Sequence, residues 1–223
     1  MIVSAVFGPT VQGEGPSIGR RCGFVRLGKC NLACTWCDSA YTWRWSDHDP
    51  AVELTERSVD DVLAQLDAMA VEMVVLTGGE PLLQQREAAP LISALRSTRG
   101  WRVEVETAGT IAPTVEVDQW NVSPKLANSG NPLDRRYKPD VLRAFAATGC
   151  AVFKFVVGEP ADLDEVASIV ATNDLTNVWL MPEGVDAATL AQRLRWIAPA
   201  AVERGWNVTT RLHIEIWGDE RGR

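Results

Sequence analysis

Short apolar runs alternate with stretches of helical periodicity along most of this 223-residue chain. Ser58-Val59-Asp60-Asp61 has the spacing of a capping box. Val59, Val62, Leu63, Leu66 and Met69 recur behind it at helical intervals, which predicts an amphipathic helix facing a core. Glu72 to Leu76 reads as a buried strand ending in Thr77-Gly78-Gly79-Glu80-Pro81, and a helix containing Leu91, Ile92 and Leu95 follows. Further strands are predicted over 102–106, 120–122, 151–157, 177–180 and 207–210, with helices over 141–147, 163–170 and 187–197. An apolar strand from Cys22 to Leu27 precedes them all.

Strands and helices in strict alternation imply parallel strands with right-handed crossovers, packed as an α/β barrel or an open sheet. The strand candidates number about seven, fewer than the eight of a closed barrel of ~250 residues, so a partial barrel with outer helices is expected. Ligands bind such folds at the carboxyl ends of the strands. Thr77-Gly78-Gly79, Thr107-Ala108-Gly109-Thr110, Ser123-Pro124-Lys125 and Met181-Pro182-Glu183-Gly184 all fall there and collect polar residues on one rim. The Trp-rich connection from Tyr41 to Arg57 is either a flap near that rim or a surface loop.

Composition narrows the class. A chain of this length with 46% hydrophobic residues fills one sizeable core, so residues 1–223 are expected to form a single domain. No apolar run is long enough to span a bilayer. Met1 to Phe7 lacks the basic region and cleavage site of an export signal, which suggests a cytoplasmic protein with no membrane contact. A net charge of -7 argues against a nucleic-acid partner, because backbone affinity comes from clustered Lys and Arg, and leaves a small-molecule substrate as the expectation.

The candidate chemistry centres on Cys30, Cys34 and Cys37, spaced C-x3-C-x2-C, while Cys22 and Cys150 read as small apolar residues. Three thiolates on one loop can hold three irons of a four-iron cluster and leave the fourth open to a ligand. A zinc loop completed by His48, or three reduced cysteines without metal, are the alternatives. Arg26, on an otherwise apolar strand, needs a partner; an internal ion pair is the simpler reading and a substrate carboxylate the other. Thr10 to Ser17 is a glycine-rich turn whose amides, with Gln12 and Glu14, can face a ligand.

The cysteine spacing, with Trp36 before the third cysteine, resembles that of radical S-adenosylmethionine (SAM) enzymes. Gly78-Gly79-Glu80-Pro81 is similar to the motif with which they meet the amino group of SAM. Val11-Gln12-Gly13-Glu14-Gly15, Arg26, Ser123-Pro124-Lys125 and His213 add a resemblance to the 7-carboxy-7-deazaguanine synthase family, running from about Thr10 to His213. That resemblance implies a partial barrel, usually a homodimer, converting 6-carboxytetrahydropterin to 7-carboxy-7-deazaguanine with loss of ammonia. A 5'-deoxyadenosyl radical would take a hydrogen atom from the pterin C6 and return it after ring contraction, so that SAM is regenerated. By the same resemblance Cys30, Cys34 and Cys37 hold a 4Fe-4S cluster, reduced by a donor such as flavodoxin or ferredoxin. Gly79, Ser123, Pro124, Lys125, Met181, Pro182, Glu183 and Gly184 lie along SAM, and Val11, Gln12, Gly13, Glu14, Arg26, Thr77 and His213 line the pterin. Ser39 is placed to bind Mg2+, with a turn cap as its alternative. Ile214-Glu215-Ile216-Trp217 reads as a strand carrying the tail away from the site, so Arg223 is given no role. A glycyl-radical activating enzyme and a zinc-binding interaction module stay open as other readings.

Overall fold

Period-two alternation in the strands sorts side chains onto two faces, and a computed structural model of residues 1–223 shows where each face goes. The chain begins with β1 (Ile2–Val11), turns through a short 3-10 segment at Gly15–Ser17, and returns antiparallel as β2 (Arg21–Leu27). The cysteine loop follows, then α1 (Pro50–Glu53) and the two-residue β3 (Thr55–Glu56), which pairs with β1. From there the order is α2 (Val59–Ala68), β4 (Met73–Gly78), α3 (Gln85–Ser93), β5 (Arg102–Thr107) and β6 (Gln119–Val122). Next come α4 (Leu133–Arg136), α5 (Pro139–Ala146), β7 (Ala151–Val157), α6 (Asp162–Asn173) and β8 (Val178–Pro182). The chain closes with α7 (Ala187–Glu203), β9 (Asn207–Val208) and α8 (Leu212–Trp217).

One sheet takes all nine strands in the order β3-β1-β2-β4-β5-β6-β7-β8-β9. From β2 to β9 every pairing is parallel, while β1 and β3 add an antiparallel edge. The sheet does not close, so the fold is the expected partial barrel. Two expectations change. The strict alternation breaks after β5, where residues 108–118 reach β6 without a helix. Pro113 interrupts that run, and its Ile111, Val115 and Val117 cover the core from irregular chain. The Ile214–Trp217 strand is instead part of α8. The amide of Leu212 is fixed to the Gly13 carbonyl at 2.8 Å, so the chain turns there rather than running on beside β9.

The outward face of the strands packs under the helices. Val25, Leu27, Val74, Leu76, Val103, Val105, Trp120 and Phe155 join Leu66, Leu91 and Phe145 in one core, with Trp120 edge-on to Phe145 at 5.2 Å. Each such side chain contributes roughly 1.5–3 kcal/mol by leaving water. The predicted capping box forms at α2: Ser58 accepts from the Asp61 amide and Asp61 from the Ser58 amide. The inward face is different. Cys22, Phe24, Met73 and Val75, packed with Phe7, make a small apolar floor, and two residues further along their strands stand Arg26 and Thr77. On β2 and β4 the inner face therefore turns polar toward the carboxyl ends. Cys22 is fully buried and Cys150 half-buried, both as free thiols. No helix is long and apolar enough to cross a membrane.

Candidate active site

Parallel register sets the inner wall of the site side by side. Arg26 of β2 pairs with Thr77 of β4, and Glu106 of β5 with Asn121 of β6, while Lys154 rises from the middle of β7. They surround a cavity of about 410 Å³ at the carboxyl ends of the strands. Thr77 donates its hydroxyl proton to Glu106 at 2.9 Å, and the Gln12 amide donates to the same carboxylate at 3.1 Å. The Thr77 oxygen is thereby left to accept from the cavity. Arg26 lines the same space with its guanidinium 5.8 Å from the Phe7 ring centroid and no ion pair. The internal partner expected from its strand is absent.

The glycine-rich turn is stitched to the segment before α8. Gly15 donates its amide to Thr209 Oγ1 at 2.8 Å, and Leu212 to the Gly13 carbonyl. A Cβ on Gly13 would lie 1.9 Å from His213 Nδ1, so only glycine lets these two walls meet. Glu14 sits between the Lys154 ammonium and the Arg211 guanidinium, which accounts for a carboxylate whose side chain is only 14% exposed. Burial would raise its pKa, but Lys154, Arg211 and His213 hold it well below the usual carboxylate range. Lys154 moves up although burial pushes down, because Glu14 and Glu106 outweigh it. Burial, helped by Arg211, lowers His213 and keeps its ring neutral near pH 7.

The cysteine loop forms the roof. All three thiols are free, and each sulfur accepts an N–H: Cys30 from the Leu32 amide at 3.4 Å, Cys34 from Asn131 at 3.3 Å, Cys37 from the Trp43 indole at 3.3 Å. Burial pushes the Cys30 thiol up to about 12 and raises Cys34 as well. Such thiols give up their protons when a metal takes the sulfur. Gly79 lies directly beneath, where a Cβ would be 2.2 Å from the Lys29 carbonyl oxygen. Its neighbour Glu80 is buried, accepting from the Leu82 and Ala108 amides and the Thr107 hydroxyl, which locks the turn to the end of β5.

All the sequence-predicted site residues except Pro124 line this one cavity. Lys125 bonds to Ser123 through both its carbonyl and hydroxyl and lies 5.8 Å from the Trp36 ring centroid, so it is no free surface charge. Met181, Pro182, Glu183 and Gly184 border the opening, held by Arg193, which donates to the Glu183 carbonyl and carboxylate. Ser39 stands at the start of a 3-10 turn, yet its hydroxyl makes no cap bond and is 3.7 Å from Cys37 Sγ. His48 packs against Glu53 and Tyr41 and does not line the cavity, so it does not complete a zinc site. Trp43 decides the question left by the Trp-rich connection, since that segment reaches the cysteines.

The sequence reading missed five polar residues of the wall: Asp38, Glu106, Asn121, Lys154 and Arg211. It also misjudged the tail. After α8, Asp219 to Arg223 return to border the cavity, with Arg221 stacked 3.7 Å from the Tyr41 ring centroid and bonded to Glu53 at 2.7 Å.

Three sulfurs, each receiving an N–H, above a glycine too close-packed for a side chain fit an iron-sulfur cluster. A partial barrel with this loop at its carboxyl rim is the architecture of a radical SAM protein, and the radical SAM superfamily model matches residues 25–135. The solved structure of SuiB from Streptococcus suis bound to S-adenosylmethionine, 14% identical with a TM-score of 0.55, shares the fold over 81% of this chain and 48% of that one. More specific likenesses are to 7-carboxy-7-deazaguanine synthases. That of Pyrobaculum aerophilum is 39% identical over 96% of this chain and 94% of its own length, and that of Halobacterium salinarum 36% identical over 94% and 88%. The crystal structure of QueE from Escherichia coli superposes with a TM-score of 0.74 at 25% identity, over 95% of this chain and 94% of that one. The chain belongs to the 7-carboxy-7-deazaguanine synthase family, whose radical SAM character implies a 4Fe-4S cluster and SAM.

Proposed function

We propose that the protein converts 6-carboxy-5,6,7,8-tetrahydropterin to 7-carboxy-7-deazaguanine with release of ammonia, using SAM as a returned cofactor. The observation that carries this reading is the polarity of the cavity. Arg26 has no carboxylate of its own, whereas Glu14, Glu106 and the Thr77 oxygen are all acceptors. A pterin-6-carboxylate matches that set, since its carboxylate suits a guanidinium and its 2-amino and ring N–H groups suit fixed acceptors.

Cys30, Cys34 and Cys37 hold the cluster in this reading, and Gly79, Ser123, Pro124, Lys125 and Met181 to Gly184 lie along SAM. When bound, that pair supplies the hydrogen-abstracting radical. The protein's own residues do the rest: Val11, Gln12 and Gly13 present a wall, Glu14 and Thr77 orient the N–H edge, Arg26 holds the carboxylate, and the neutral His213 ring closes the side. The hydroxyl of Ser39, whose side-chain partner is Cys37 Sγ at 3.7 Å, supports Mg2+ as a further ligand of the substrate-bound site. A cytoplasmic homodimer of single-domain chains, reduced by flavodoxin or ferredoxin, completes the proposal.

Arg26→Gln tests it. A charge-assisted hydrogen bond is worth about 1.5–3 kcal/mol, so KM for the 6-carboxylated pterin should rise roughly tenfold or more. The wild-type protein should discriminate by a similar factor against tetrahydropterin lacking the carboxylate. An unchanged KM in the variant would remove the basis of the substrate assignment.

A further inference from the structure

Arg211 is the one side chain that touches three separate loops around the cavity. It is 7% exposed and stands between β9 and α8. Its Nε donates to Glu14 Oε1 at 3.1 Å in the loop after β1, and one terminal nitrogen donates to the Gly184 carbonyl at 2.7 Å in the loop after β8. The other terminal nitrogen donates to Asp38, which lies between Cys37 and Ser39 in the loop after β2. Hydrogen bonds on either side, from the Gly15 amide to the Thr209 hydroxyl and from the Leu212 amide to the Gly13 carbonyl, fix the segment that carries it. A guanidinium directs its N–H groups in a rigid planar fork, whereas an ammonium is a point charge on a flexible stem and cannot reproduce three fixed directions.

We propose that Arg211 is a positioning residue that sets the mutual register of three parts. These are the substrate-facing Glu14 loop, the cysteine loop and the Met181–Gly184 stretch. The inference rests on the functional reading above and deepens it. A reaction in which one hydrogen atom leaves the substrate and later returns depends on the two partners staying aligned throughout. A displacement of about 1 Å in such a site can cost on the order of a hundredfold in rate. Loosening the fork should therefore divide SAM cleavage from product formation. Each uncoupled event breaks a C–S bond of SAM with one electron from the added reductant. It leaves methionine and a 5'-deoxyadenosine whose new hydrogen comes from pterin, protein or buffer and is not given back.

The test compares wild type, Arg211→Lys and Asp38→Asn after anaerobic reconstitution. It measures 5'-deoxyadenosine released per 7-carboxy-7-deazaguanine formed, alongside amide hydrogen exchange. In Arg211→Lys the ratio should rise at least tenfold, and exchange should accelerate together around residues 13–15, 38–39 and 183–184. Asp38→Asn, which takes the charge from one leg of the fork at a partly exposed position and leaves a weaker neutral acceptor, should move the ratio the same way by less. A wild-type ratio in Arg211→Lys, whatever its rate, overturns the proposal, as does faster exchange confined to 209–213. If Arg211→Lys does not fold, a wild-type ratio in Asp38→Asn overturns it instead. Should the wild-type protein leave the pterin untouched, the functional reading fails by itself, and the exchange measurement still decides whether Arg211 joins the loops.

Discussion

Glu14 stays ionised inside the barrel because two cations meet it, and that arrangement shows what single residues reveal before a structure exists. Lys154 carried a usable sign: a lysine in the middle of the apolar run Ala151–Val157 needs a buried partner, as Arg26 does on its own strand. Arg211 carried none. It follows a two-residue strand in an unpatterned stretch, and its three partners are remote in sequence. His213 was legible only through resemblance, and its chemistry follows from burial. The folded protein keeps His213 below its ordinary value of 6.5, first through burial and then through Arg211, against the pull of Glu14, Asp38 and Glu106. The unfolded chain therefore takes up this proton first, so stability should fall as pH drops through 6.5. His213→Asn should flatten that part of the dependence and leave the curve above neutrality parallel to wild type. Denaturant midpoints between about pH 5 and 8 measure it. Equal slopes in the two proteins would show that the imidazole is not held neutral by the fold.

Elements were read well wherever periodicity had one cause. The helix behind Ser58 and the seven parallel strands appear where helical periodicity and short apolar runs put them, the last shortened to Asn207–Val208. The antiparallel β1 was harder, because most of its residues are only half-buried at an edge of the sheet and show no clean two-residue pattern. The helical turn at Leu212–Trp217 was misread because Ile214-Glu215-Ile216 alternates like a strand, although only Ile214 is buried and Ile216 is 51% exposed. The contact between the end of β4 and the cysteine loop is the element-scale feature on which the site depends most. Adding a methyl at Gly79 forces backbone apart, since the Lys29 carbonyl oxygen would be 2.2 Å away. Gly79→Ala should lose about 1–3 kcal/mol of stability, the usual cost of overpacking. It should also lower the iron bound per chain after reconstitution. Wild-type iron content with unchanged stability would mean that the two loops are not braced against each other.

At the scale of the whole molecule, the partial barrel and its carboxyl rim were legible, and nearly all the positions singled out by resemblance line one cavity, because local motifs at strand ends share one destination in a parallel sheet. The polar lining between those motifs was not read, although Glu104 and Glu106 alternate with Val103 and Val105 along β5 and carry the same kind of sign as Lys154. Nor was the returning tail, whose Arg221 contacts depend on the turn at α8. What unites the molecule is one cavity that places three sulfurs above, fixed acceptors beneath and an unpaired arginine at the side. The most direct measurement of that account incubates the anaerobically reconstituted protein with 6-carboxytetrahydropterin, SAM, Mg2+ and a reductant, following product and SAM together by mass spectrometry. The expected outcome is 7-carboxy-7-deazaguanine formed over many turnovers with SAM undiminished. Cleavage of SAM with the pterin intact, or product formed only as SAM is consumed one for one, would contradict it.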